Sequence, residues 1–165
     1  MWNLFTVVDE KDKIICYKSK ENIDPVNEYY RVSALRLTNP QWDILIAQRA
    51  FSKSHNPGKR WPAVAGTVEE GESYEDNIIK ETQEELWLTD IVFKKWPKYK
   101  IERERHYFWQ RFFATVKKDI SEFKIQKDEV EEIKWIAPKD LEKDIELHPE
   151  KYLTTMNVYI KEFII

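Results

Sequence analysis

Glu81, Glu84 and Glu85 are the residues of this chain whose type and spacing point most directly to chemistry. Set on a helix at about 100° per residue, they fall in one sector about 100° wide that borders an apolar stripe. Glu81 and Glu85 form an i,i+4 like-charge pair, which costs a few tenths of a kcal/mol when exposed and more when partly desolvated. A compensating cation is therefore expected. An all-oxygen donor set suits a hard ion such as Mg2+ or Mn2+, and one such ion bridging diphosphate oxygens would neutralise charge as the bond breaks. The competing reading of the same residues is a solvated acidic helix face.

The element that must carry these glutamates is a helix over residues 73–86. There Tyr74, Ile78, Thr82 and Leu86 recur every four residues with Ile79 beside them, and Ser73 with Asp76 supplies a capping-box start. Residues 4–8 and 14–17 read as a hairpin around the charged turn Asp9-Glu10-Lys11-Asp12. A second hairpin joins residues 31–38 to 42–47 through a turn at Asn39-Pro40, and residues 51–62, with Pro57-Gly58, have the composition of a loop. Residues 107–116 and 131–136 read as strands, with helices beginning near Pro138 and at Pro149. Strands with interspersed helices predict an α+β chain, an α/β/α sandwich on a mixed sheet, whose strand order the pattern leaves open.

Length and composition bound the rest. The 165 residues, 42% hydrophobic, fit one domain spanning 1–165 around one core. The 27 basic and 30 acidic residues nearly cancel, so no stable nucleic-acid partner is expected and any phosphate recognition is local. No apolar run is long enough to span a bilayer and Met1-Trp2-Asn3 opens no signal peptide, which predicts a soluble, cytoplasmic protein. Cys16 is the one cysteine, so neither an internal disulfide nor a thiolate zinc cluster is available, and it reads as a half-buried strand residue. Trp2 and the apolar ending Phe163-Ile164-Ile165 offer surface for a homodimer contact.

The stretch from Gly66 through Glu72 to Leu88 resembles the Nudix box, G-x5-E-x7-R-E-U-x-E-E-x-G-U, with U aliphatic. Gly66, Glu72, Glu81, Glu84, Glu85 and Leu88 match at the required offsets, while Lys80 stands for arginine, Thr82 for an aliphatic residue and Trp87 for glycine. Pro57-Gly58, Trp61 and the acidic run around Asp128 and Glu129 are also similar to the family's layout, so the resemblance covers about residues 31–141. It implies a Nudix-type sandwich that hydrolyses a diphosphate bond in a nucleoside diphosphate-X or related small phosphorylated substrate, with Mg2+ or Mn2+. It further implies Glu81 and Glu85 as the principal metal ligands, Glu84 as a ligand or the base for water, and the Gly66 carbonyl as another ligand. Glu72 would hold the loop and site geometry, and Lys80 would pair with a box glutamate without the two-point fork of an arginine. At the helix end, Trp87 would carry a cost of about 1 kcal/mol if it takes the glycine's positive φ. From outside the box Glu129 is the first choice to complete the site, with Glu131 and Glu132 behind it and a plain surface role for each as the alternative.

Weaker signals lie elsewhere. Residues 94–111 interleave Lys and Arg with Trp and Tyr, which fits an amphipathic strand and hairpin or a substrate-facing wall. His106 reads as a strand histidine, whereas His55, near Lys53, Lys59 and Arg60 in the loop before the box, reads with Arg60 as a contact to substrate phosphates. Two other functions fit parts of the pattern. A Nudix-fold module that binds a nucleotide or protein without turnover draws on the Lys80 and Trp87 departures. Isopentenyl-diphosphate isomerase shares the layout of residues 31–72 but needs a cysteine before the box glycine, where this chain has Ala65, and a histidine where it has Tyr30.

Overall fold

The computed structural model describes residues 3–161; Trp2 and Phe163-Ile164-Ile165 lie outside them. A hairpin of β1 (Leu4–Val8) and β2 (Ile14–Ser19) leads to the long β3 (Tyr29–Thr38), then β4 (Ile44–Arg49), a short β5 (Arg60–Pro62) and β6 (Val64–Thr67). Helix α1 (Tyr74–Leu86) follows, then the hairpin β7 (Lys94–Glu102) and β8 (His106–Thr115), β9 (Val130–Ile136), α2 (Pro138–Leu147) and α3 (Met156–Lys161). Strand β3 is the hub of a mixed sheet: it runs parallel to β8 from Tyr30↔Tyr107 to Thr38↔Thr115 and antiparallel to β6, β1 and β4. Strand β4 carries β5 and β9.

Alternation along the central strands sends side chains to two cores. Leu35, Leu37, Leu45, Phe108 and Phe112 join Ile78 and Leu86 of α1 on one face. Ala34, Ile44, Ile46 and Trp109 meet Leu141 and Ile145 of α2 and Met156, Tyr159 and Ile160 of α3 on the other. The result is the expected α/β/α sandwich, with α1 alone on its side of the sheet.

Local departures from the expected elements have physical reasons. Trp42 does not open a strand: its φ is +67°, it belongs to the turn held by Asn39, and its exposed ring stacks on Phe113. Part of the expected 51–62 loop is β5, which pairs with β4 through only three residues and ends on a proline. Pro149 opens a single 3-10 turn, Pro149–Lys151, and the next helix waits until Met156.

Helix α1 starts on the Ser73–Asp76 capping box and ends with Trp87 in the left-handed region, φ 54° and ψ 37°. The buried Thr82 satisfies its hydroxyl on the Ile78 carbonyl at 2.6 Å, which is how a polar residue sits in a position suited to an aliphatic one. Because Trp87 is 67% exposed, its Cβ strain has little packing in return beyond a contact with the Lys124 ammonium. Trp87→Gly is therefore expected to stabilise the protein by up to about 1 kcal/mol. A melting temperature equal to or below the wild type would show that the indole contributes more than its strain costs.

The first hairpin braces the segment before α1. Thr6 N–H donates to the Val68 carbonyl at 3.0 Å, the Thr6 hydroxyl to the Glu69 carbonyl at 3.1 Å, and Glu70 N–H to the Leu4 carbonyl at 2.7 Å. At its tip Asp12, buried to 8% exposure, pairs with Arg31 and Lys98 and accepts from the Tyr74 hydroxyl at the first turn of α1.

Candidate active site

Gly66 lies in β6 opposite Ser33, and residues 68–72 loop from there into α1. The loop is fixed by Glu72, whose carboxylate accepts from the Glu69 N–H and from the Asn77 side-chain amide, both at 3.0 Å. Lys80 stands behind it as a shared counter-ion, 2.7 Å from Glu72, 3.1 Å from Glu69 and 3.9 Å from Glu81. Burial works against the Lys80 ammonium, but Glu72 and Glu69 outweigh it and hold its pKa above the usual lysine value. Lys80→Arg should keep these pairs and hold one carboxylate through a planar two-point fork, so kcat is expected to be unchanged or a few-fold higher. Lys80→Met should lower both activity and metal-free stability. A large loss in the arginine variant, read by steady-state hydrolysis, would give Lys80 a role beyond this pairing.

One turn of helix brings Glu81 and Glu85 to the same cavity. Glu81 lies against Gly66 so closely that a Cβ on that glycine would stand 2.4 Å from the Glu81 Cδ. Burial pushes the Glu81 carboxyl up to about 7, with Lys80 opposing and Glu84 adding to the rise. Glu85 is 4% exposed, and its Oε2 has no hydrogen-bond partner. Burial, then repulsion from Glu81 and Glu129, holds its carboxyl well above the usual range, while Arg49 and Lys53 pull the other way.

The cavity measures about 420 Å³, within the usual range for small-molecule sites. Glu69, Glu81, Glu85 and Glu129 make its acidic end together with Gly66 and Arg49. Its far wall is aromatic: Tyr30 and Tyr107, register partners on β3 and β8, lie 5.6 Å apart at 31°, with Trp61 and Trp109 nearby. Arg103, Glu104, Arg105, Thr154 and Thr155 also line the cavity.

The structure thus gathers Gly66, Glu81, Glu85 and Glu129 from the expected set. Glu84 is exposed and does not line the cavity, and Glu72 and Lys80 sit behind the loop. His55 faces an adjoining cavity of about 340 Å³ that shares Tyr30, Thr67 and Arg105 with the first. Arg60 is turned toward Glu132 at 3.8 Å, and Glu131 is exposed. His106 stacks on Tyr29 at 5.2 Å. The 94–111 segment forms a hairpin whose Lys95 and Lys98 pair with Glu75 and Asp12, and its residues from Ile101 to Trp109 line the cavity. Arg49, Glu69 and Thr154-Thr155 carried no signal in the sequence, since they come from β4, the box loop and the turn before α3.

The donor set fits a hard divalent cation: it is all oxygen, and one buried carboxylate oxygen, Glu85 Oε2, lacks any partner. Among the described residues no three carboxylate, imidazole or thiol side chains already stand close enough to chelate an ion. The acidic groups are instead held apart, Glu129 by Lys53 and Glu81 against Gly66.

Comparison with known proteins gives the family. The chain belongs to the Nudix family and is a Nudix hydrolase: the NUDIX domain model matches residues 29–156. It is 26% identical over 135 residues to an uncharacterised Nudix hydrolase of Yersinia pestis, covering 82% of this chain and 73% of that one. A prenyl-diphosphate phosphatase of Methanosarcina mazei is 25% identical over 151 residues, covering 90% and 88% of the two chains. The crystal structure of DR0079 from Deinococcus radiodurans superposes with a TM-score of 0.85 at 19% identity, covering 96% and 98% of the two chains.

Proposed function

We propose that this chain hydrolyses a diphosphate bond in a nucleoside diphosphate-X or related small phosphorylated substrate, with Mg2+ or Mn2+ held by Glu81, Glu85, Glu129 and the Gly66 carbonyl. The observation that carries this reading is the buried, unpartnered Glu85 carboxylate beside Glu81 in one cavity, an arrangement that is unfavourable without a cation. Bound there, the cation would supply charge neutralisation at the diphosphate and an acidified water.

The chain's own residues divide the remaining work. Arg49, Arg103 and Arg105 face the cavity with charge for phosphate oxygens. Tyr30 and Tyr107 offer a face for a base or sugar, and the buried, unpartnered Trp61 Nε1 is a donor for a substrate oxygen. Glu84, exposed at the helix edge and outside the cavity lining, is the box carboxylate left to act as base for the attacking water.

The test is a panel of nucleoside diphosphates and triphosphates, nucleotide sugars, dinucleoside polyphosphates, ADP-ribose and a prenyl diphosphate, each with Mg2+, Mn2+ or chelator. Metal-dependent release of a phosphorylated product from at least one compound is expected. Binding without turnover across the panel would make the chain a binding module.

A further inference from the structure

Lys53 occupies both oxygens of Glu129, with its ammonium 2.6 Å from each. The pair is built into the backbone. Lys53 N–H donates to the Ala50 carbonyl, Ala50 N–H to the Glu129 carbonyl, Glu129 N–H to the Gln126 carbonyl, and Gln126 N–H to the Glu85 carbonyl at the end of α1. The loop carrying Lys53, the turn carrying Glu129 and the helix carrying Glu85 are therefore joined by one chain of backbone hydrogen bonds. Lys53 is about one-quarter exposed and does not line the cavity, so it reaches Glu129 from behind, while Glu129 itself faces the acidic end.

We infer that Lys53 is an intramolecular counter-cation that competes with the divalent ion for Glu129 and so sets how tightly the site loads. This rests on the reading of Glu129 as a metal-ligating carboxylate. With both its oxygens drawn to one ammonium, Glu129 offers less negative charge to an ion, and a cation arriving there meets the repulsion of Lys53. Lys53 also lies near enough to Glu85 to offset part of its charge, so its presence weakens the field that attracts a cation. Both effects have the same sign: removing the ammonium should tighten metal binding. A residue that merely oriented Glu129 as a ligand would give the opposite sign.

The experiment is Mn2+ titration of the substrate-free full chain, followed by the electron paramagnetic resonance signal of free Mn2+, for wild type, Lys53→Met, Lys53→Arg, Glu129→Gln and the Lys53→Met/Glu129→Gln double variant. Lys53→Met is expected to lower the Mn2+ Kd roughly threefold or more, the scale of a partly exposed ion pair, and Lys53→Arg to leave it near wild type. In the Glu129→Gln background the same lysine change should tighten binding distinctly less, because only its effect on Glu85 remains. A metal-free melt shows that each variant folds, and Lys53→Gln substitutes if the methionine variant does not. An unchanged or weaker Kd in Lys53→Met, or equal tightening with and without Glu129, overturns the inference while leaving the metal site intact. Absence of Mn2+ binding by the wild type overturns both.

Discussion

Glu85→Gln is expected to cut hydrolysis at least a hundredfold while raising the melting temperature of the metal-free protein at alkaline pH. Glutamine keeps the side chain's shape but cannot carry the charge that the site gathers. The pH dependence follows from the direction of the shifts. Burial raises the folded-state pKa of Glu85 well above 4.5 and that of Glu81 from 4.5 to about 7. A carboxyl whose folded pKa is raised contributes most below its unfolded pKa, and that contribution is lost as pH rises through the folded value. Metal-free wild type should therefore lose stability from about pH 4.5 through 7 and beyond. Glu85→Gln removes the share of that decline that Glu85 contributes, so the two melting curves converge in acid and separate as pH rises. Glutamine also leaves a buried amide short of partners, which holds the gain to a modest one. With metal the order reverses, because the variant lacks an anionic ligand and the wild type gains by mass action. Each factor of ten in rate corresponds to about 1.4 kcal/mol of barrier, so a hundredfold loss asks about 2.7 kcal/mol of this one carboxylate. Melting temperature against Mg2+ at two pH values, paired with steady-state hydrolysis, checks every part. Hydrolysis within threefold of wild type would return these glutamates to a solvated acidic face.

Gly66→Ala should be almost as damaging to activity with little effect on folding. The added Cβ would stand 2.4 to 2.5 Å from the Cδ, Cγ and Oε1 of Glu81, far inside van der Waals contact. What must move is the end of a flexible side chain rather than backbone. The strand pairing with Ser33 can therefore persist while Glu81 is driven out of its pose. We expect a metal-free melting temperature within a few degrees of wild type, weaker Mn2+ binding and a loss of kcat of about a hundredfold. Full activity in the alanine variant would mean that the pose of Glu81 against this glycine is not the one used in turnover.

How far the site was legible depended on how each residue is placed. Glu81 and Glu85 share one helix, so spacing alone put them together, and the capping box and the apolar period fixed where that helix starts and stops. Glu129 was read from an acidic run, but its partner was not, because Lys53 lies 76 positions away and only the paired β4 and β9 bring the two together. The same holds for the parallel match of Tyr30 to Tyr107, which no local pattern encodes. Trp42 shows the opposite failure. Its size and apolarity suggest a strand, yet what decides its place is a positive φ, a backbone property that composition does not carry. His55 and Arg60 were judged by neighbourhood in sequence, whereas side-chain direction sends one to the next cavity and the other to Glu132.

The brace formed by the first hairpin has a consequence for engineering. Thr6 and Leu4 secure Val68, Glu69 and Glu70, yet they precede residue 29, where the family match begins. A box loop exchanged between relatives within the matched segment alone would thus arrive without its scaffold. Slow amide exchange at Val68 N–H, which donates to Arg31 within the matched segment, should survive such a graft, while protection at Glu70 N–H, which donates to Leu4, should vanish. The portable unit is the loop together with the hairpin that grips it.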